Sequence, residues 1–191
     1  MTNSAPWVAA GLGNPGKKYA KTPHNAGART IESLADMAGV KLGRSKMSAV
    51  VADVHKWSSR CLLVRPTTYM NESGNAIAPA LRWFKVPPEQ LIVVHDDIDL
   101  ARGRLRVKFG GGNAGHHGLD SISKSIGTND FYRIRIGVGR PDSTDKSEAE
   151  FVVGSLPASA AKELSASERR AAEAVVSLIE RGLEATMNEY N

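Results

Sequence analysis

LIVVHDD, residues 91–97, runs four apolar side chains in succession and then ends in a histidine and two carboxylates. An unbroken apolar run of this length reads as a strand buried on both faces, the kind found inside α/β sheets, and its polar end marks where the strand reaches the surface. Working outward, WVAAGL (residues 7–12) is a second buried strand, followed by NAGARTIESLADMAGV (25–40). The latter is a helix with Ile31, Leu34, Ala35 and Ala38 on one face, Asn25 as its cap and Gly39 as its stop. SAVVADVHKW (48–57) and RCLLVRP (60–66) read as strands of a hairpin turning at Ser58 and Ser59. A helix carrying Ile77, Leu81 and Phe84 follows, with Pro79 expected in its first turn or at a kink. RLRVKF (104–109) and YRIRIGVG (132–139) alternate as strands around a glycine-rich loop and a short helix. Ala172, Val175, Val176, Ile179 and Leu183 mark one face of a long final helix.

Strands alternating with helices give an α/β fold, and the one hairpin makes the sheet mixed. With 191 residues and 41% apolar content the chain is expected to form a single domain over residues 1–191. One cysteine, Cys61, permits no internal disulfide, which points to a reducing, cytoplasmic setting. No basic, then apolar leader opens the chain and no window is apolar enough to span a bilayer, so no membrane partner is expected. The net charge of +5 is unevenly spread. Residues 1–50 carry seven basic and two acidic groups, residues 101–140 eight and two, and residues 141–191 five and ten. Basic segments of this kind suit a polyanion.

Ligands of open α/β sheets sit beyond the carboxyl ends of the strands, where GLGNPGKKY, HDDID and GGGNAGHHG fall. Gly11, Gly13 and Gly16 spell GxGxxG, but Pro15, Lys17 and Lys18 lead into a polar loop rather than a helix, as a dinucleotide site would need. Gly11, Gly16 and Lys17 nearly spell a P-loop, but Lys18 cannot supply the magnesium-binding hydroxyl. Asp96, Asp97 and Asp99 could hold a hard cation, though no metal-ligand pattern accompanies them. No serine lies in a GxSxG elbow.

Six segments, GLGNPGKKY, TPHNAG, RPTTYMNESG, HDDIDL, GGGNAGHHGL and RIRIGVGRP, occur in the order seen in bacterial peptidyl-tRNA hydrolases, and the chain resembles that family from about Val8 to about Gly154. The resemblance implies a three-layer α/β/α sandwich with a twisted mixed sheet, a monomer and no cofactor or metal. It implies hydrolysis of the ester joining a peptide to the 3′-terminal ribose of tRNA, in the recycling of prematurely released peptidyl-tRNA. The chemistry suits the residue types: an ester yields to water activated by one general base beside a polarised carbonyl. Histidine titrates near neutrality, and a facing carboxylate fixes its tautomer. The resemblance assigns base and carboxylate to His24 and Asp96 and gives Asn14 the task of distinguishing peptidyl-tRNA from aminoacyl-tRNA. Tyr19, Tyr69, Met70 and Asn71 correspond to substrate contacts.

Strand alternation puts Arg104, Arg106 and Lys108 on one face, and Arg133 and Arg135 on one face of the later strand. These basic faces could hold acceptor-stem phosphates beside the 3′ CCA end, and the resemblance singles out Lys108 and Arg135. DNA is not expected as a partner. One departure stands out: many family members have His-Asn-Gly where this chain has His116-His117-Gly118, so His117 replaces a substrate-contacting asparagine. Two rival readings remain, a catalytically weak relative that binds RNA or an RNA-processing partner, and a nucleotide-dependent enzyme using the first glycine loop.

Overall fold

A computed structural model describes residues 5–45, 47–141 and 147–191. Residues 1–4, where the expected absence of a leader is partly read, lie outside the described residues. Among the described residues seven strands form the sheet: β1 (Trp7–Gly11), β2 (Gly43–Arg44), β3 (Ala49–Val54), β4 (Cys61–Pro66), β5 (Leu91–Asp97), β6 (Leu105–Phe109) and β7 (Tyr132–Gly137). Five α-helices accompany them among the described residues: α1 (Ala26–Ala38), α2 (Gly74–Phe84), α3 (His117–Ile126), α4 (Glu148–Val152) and α5 (Ala158–Tyr190). The strand order is β2-β3-β4-β1-β5-β7-β6. β4, β1, β5 and β7 are parallel, and β3 and β6 flank them antiparallel, so the sheet is mixed as expected.

Strand periodicity sorts the core into two layers. Ala9, Leu63, Ile92, Val94 and Ile134 pack against α1 and α5, whereas Val8, Ala10, Leu62, Val64 and Val93 pack against α2 and α3. Helices thus cover both faces, giving the three-layer sandwich. α1 lies close because two glycines allow it: a Cβ on Gly11 would sit 2.1 Å from the Gly27 carbonyl oxygen, and one on Gly27 would sit 2.1 Å from that of Val94. Gly11 therefore serves helix-to-sheet packing.

Several local expectations need correction. Asn25 does not cap α1 with its side chain, because a 3-10 turn over Pro23–Asn25 feeds directly into the helix and turns that side chain toward Asn14. Pro79 is the sixth residue of α2, well inside it, and the carbonyl of Asn75 that loses a partner belongs to an exposed residue open to water. The final helix is broken at Gly182, whose φ of 82° and ψ of 179° are not helical. Beyond the break, the side-chain amide of Asn191 accepts from the Val107 N–H at 2.6 Å and donates to the Val107 carbonyl at 3.1 Å. It occupies the open edge of β6 as a neighbouring strand would. Arg133 does not share an open basic face with Arg135 but is buried at 1% exposure.

Candidate active site

β1 and β5 end side by side, and the turn after β1, the end of β5 and the loop before α3 enclose a cleft of about 460 Å³. His24 sits on the 3-10 turn between the first loop and α1, with its side chain 13% exposed. Its Nδ1 lies 2.8 and 2.9 Å from the two carboxylate oxygens of Asp96, which is the penultimate residue of β5 and is 2% exposed. His116 Nε2 lies 3.1 Å from the same carboxylate.

Hydrogen-bond partners fix the protons. His116 Nδ1 accepts the backbone N–H groups of Gly118 and Leu119 as the cap of α3, so its Nε2 carries the proton donated to Asp96. An ionised carboxylate accepts only, so His24 donates from Nδ1, and in the neutral imidazole the lone pair is then on Nε2, in a residue that lines the cleft. Burial alone would raise the pKa of Asp96, but the combined pull of His24 and His116 overrides it and holds the carboxyl well below the usual range. His95, one residue earlier, points to the other face of the sheet and donates from Nδ1 to the Asp96 carbonyl at 2.7 Å. Burial, then the neighbouring His116, pushes its pKa well below that of free imidazole. Its ring meets that of His116 edge to face at 4.9 Å.

Asn14 is clamped from three sides. Its backbone N–H donates to Asn25 Oδ1 at 2.8 Å, its carbonyl accepts from Asn25 Nδ2 at 2.9 Å, and its side-chain Oδ1 accepts the Met70 N–H at 2.8 Å. With Oδ1 committed, Nδ2 is the donor that Asn14 offers to the cleft. Met70, buried at 4%, and Asn71 line the same wall, and the exposed His117 stands across from them on α3.

The residues named from sequence thus divide. His24, Asp96, Asn14, Met70, Asn71 and His117 meet at the cleft, while Tyr19, Tyr69, Lys108 and Arg135 lie outside its lining. Tyr69 is 55% exposed beside Met70, and Tyr19 lies in the turn before His24 with the Lys18 ammonium 5.3 Å from its ring centroid. Lys108 on β6 faces Arg133 across the strand pair, and burial, then the charges of Arg133 and Arg135, lowers its pKa. Arg135 donates from Nε to Asp97 at 2.7 Å. The three carboxylates at and just beyond the end of β5 therefore have separate tasks: Asp96 binds histidines, Asp97 binds Arg135, and Asp99 binds Arg140 at 2.5 Å. Among the described residues, the group whose ligand atoms could share a metal ion is His24, Asp96 and His116, all within 4.8 Å.

Sequence reasoning missed His95, Asn113 and the wall formed by Glu148, Ala149, Val152 and Val153. For the last a signal existed: Ser147 and Glu150 form a capping box, S-x-x-E, that starts α4. Among the described residues no helix is long and apolar enough to cross a membrane.

A family model described as peptidyl-tRNA hydrolase matches residues 8–191. The peptidyl-tRNA hydrolase of Frankia alni is 40% identical over 190 residues, covering 100% of this chain and 96% of that protein. That of Mycobacterium marinum is 42% identical over 187 residues, covering 97% of each. Among solved structures, peptidyl-tRNA hydrolase from Acinetobacter baumannii superposes with a TM-score of 0.91 at 33% identity, over 100% of this chain and 97% of that one.

Proposed function

The chain belongs to the bacterial peptidyl-tRNA hydrolase family, and we propose that it hydrolyses the ester between a peptide and the 3′-terminal ribose of tRNA, with His24 as general base. The observation that carries the reading is the His24–Asp96 pair: Nδ1 bound to a buried carboxylate at 2.8 Å, Nε2 turned to the cleft. Nε2 takes a proton from water as the water oxygen attacks the ester carbonyl, and Asp96 stabilises the imidazolium that forms. The tetrahedral intermediate then expels the ribose oxygen, which receives the proton back from His24. In this reading Nδ2 of Asn14 donates to the carbonyl oxygen as negative charge develops there.

Met70, Asn71 and His117 contact the peptidyl end, with Tyr19 and Tyr69 beside it. Lys108 and Arg135 bind phosphates of the acceptor stem leading to the CCA end. Arg135 does so while paired with Asp97, so Lys108 is the freer of the two. The acting unit in this reading is one domain over residues 1–191, working as a cytoplasmic monomer without a cofactor.

Incubation with peptidyl-tRNA, with no metal or nucleotide added, tests this directly. Release of free tRNA and free peptide is expected. Binding of the RNA without release would instead mark a catalytically silent relative, and release only with a nucleotide would restore the first glycine loop as a site.

A further inference from the structure

The loop from Gly110 to His116 brings both Asn113 and His116 to the cleft, yet its own backbone is strained and sparsely tied. Gly110, Gly111 and Gly115 have φ of 66°, 93° and 72°, and Ala114, which is not a glycine, has 48°. Glycine takes positive φ freely, so the strain is that of Ala114, and it persists only where surrounding contacts hold the loop in place. The contacts come from beneath. Arg133 on β7 is 1% exposed, and its two terminal nitrogens donate to the carbonyls of Gly112 and Gly111, each at 2.6 Å. Its guanidinium lies 4.6 Å from the centroid of the fully buried Phe131 ring. No carboxylate pairs with it among the described residues. A buried cation without a counter-ion is expensive to keep, so the loop carbonyls and the ring face are what hold the guanidinium here.

We propose that Arg133 is a positioning residue, whose planar fork grips the Gly111 and Gly112 carbonyls and thereby sets where Asn113 and His116 stand at the cleft. The path is continuous. Gly112 leads to Asn113, whose carbonyl accepts the His116 N–H at 2.9 Å, and His116 donates to Asp96, the partner of His24. This role departs from the phosphate-binding face that strand alternation alone assigns to Arg133. A lysine cannot reproduce it, because one ammonium lacks the rigid pair of parallel donors.

The inference extends the hydrolytic reading and rests on it only for the kinetic part of the test. Arg133→Lys and Arg133→Met are compared with wild type in hydrolysis of peptidyl-tRNA across salt concentration, and the His116 ring resonances are followed by NMR. Expected are a fall in kcat of about ten- to a hundredfold in both variants, as for misplacement of a supporting group, with an unchanged slope of log affinity against log salt. The His116 ring signals shift or broaden in both. Full kcat in Arg133→Lys would overturn the proposal by showing that charge alone suffices. A smaller salt slope with unchanged kcat would also overturn it and make Arg133 a phosphate contact. Arg133→Lys keeps the stem and the charge, so it decides the question if Arg133→Met fails to fold. Absence of hydrolysis in the wild type would defeat the functional reading alone, since the His116 ring signals still report whether Arg133 places the loop.

Discussion

The Met70 backbone N–H donates to the side-chain oxygen of Asn14 at 2.8 Å, joining the loop after β1 to the turn before α2 and leaving the Asn14 nitrogen for the cleft. Asn14→Asp separates the two ends of the amide. A carboxylate can still accept from Met70, but it presents an acceptor where the substrate carbonyl needs a donor. We expect kcat to fall by about 10²–10³-fold, the usual effect of deleting such a donor, with little change in melting temperature. Asn14→Ala should lose similar activity and also about 1–3 kcal/mol of stability, because it strands the N–H of the buried Met70. Steady-state kinetics beside thermal melts distinguish the two; equal stability in both variants would sink the assigned bond.

His24→Ala should lower turnover by about 10²–10⁴-fold, the range for losing a general base, while tRNA binding is nearly retained. Asp96→Asn should be milder, since a neutral amide can still contact Nδ1 but no longer enforces the tautomer or stabilises the imidazolium. Single-turnover hydrolysis and a filter-binding titration read these separately. Wild-type rates in His24→Ala would rule out the mechanism.

Lys108→Ala should raise KM and reduce the slope of log affinity against log salt by about one, as expected when one phosphate contact and its released counter-ion are removed. Arg135→Ala should show the same loss of slope together with some loss of stability, because Asp97 is left half-buried without its partner. Unchanged slopes in both would place the tRNA elsewhere.

His117→Asn should keep or improve hydrolysis near neutrality. An imidazole loses its acceptor on protonation and an amide does not, so substrate affinity in the variant should depend less on pH under acidic conditions. Measuring affinity on a His24→Ala background keeps the base's own protonation out of the comparison. A loss as large as that of His24→Ala would give His117 a chemical role.

His95 is neutral in the folded protein because burial and the adjacent His116 lower its pKa, and it regains ordinary basicity on unfolding. The unfolded chain therefore binds more protons below about pH 6.5, so stability present above that pH is lost as pH falls, by at most about 1.4 kcal/mol per unit. Asp96, His116 and Arg133 are the charged or titratable groups that act on it, and all remain in His95→Phe. That variant should show a shallower decline in denaturation midpoint between pH 7 and pH 5. An identical decline would mean that His95 takes up no proton on unfolding.

Much of this molecule was legible from its chain. The apolar run at 91–94, the alternation in β6 and β7 and the helix periodicities fix the elements, since burial of one face is a local property of spacing. The glycine stop at Gly39 was equally plain, because only its left-handed φ of 71° needed to be guessed. Ordered motifs likewise identified His24, Asp96 and Asn14 as a group.

What the chain alone could not decide is which polar side chains find partners, because partners come from segments far apart in sequence. Arg133 and Arg135 obey the same alternation. Yet Arg133 lies beneath the glycine-rich loop and binds its carbonyls, while Arg135 meets Asp97 at the rim. Asn25 reads as a cap but is taken by Asn14, and His116, which the sequence shows only as part of the glycine-rich loop, shares Asp96 with His24. Sequence by itself determined the layers and the list of candidate groups; tertiary structure decided the protons and pairings, since each depends on which donor the fold carries to within about 3 Å of which acceptor.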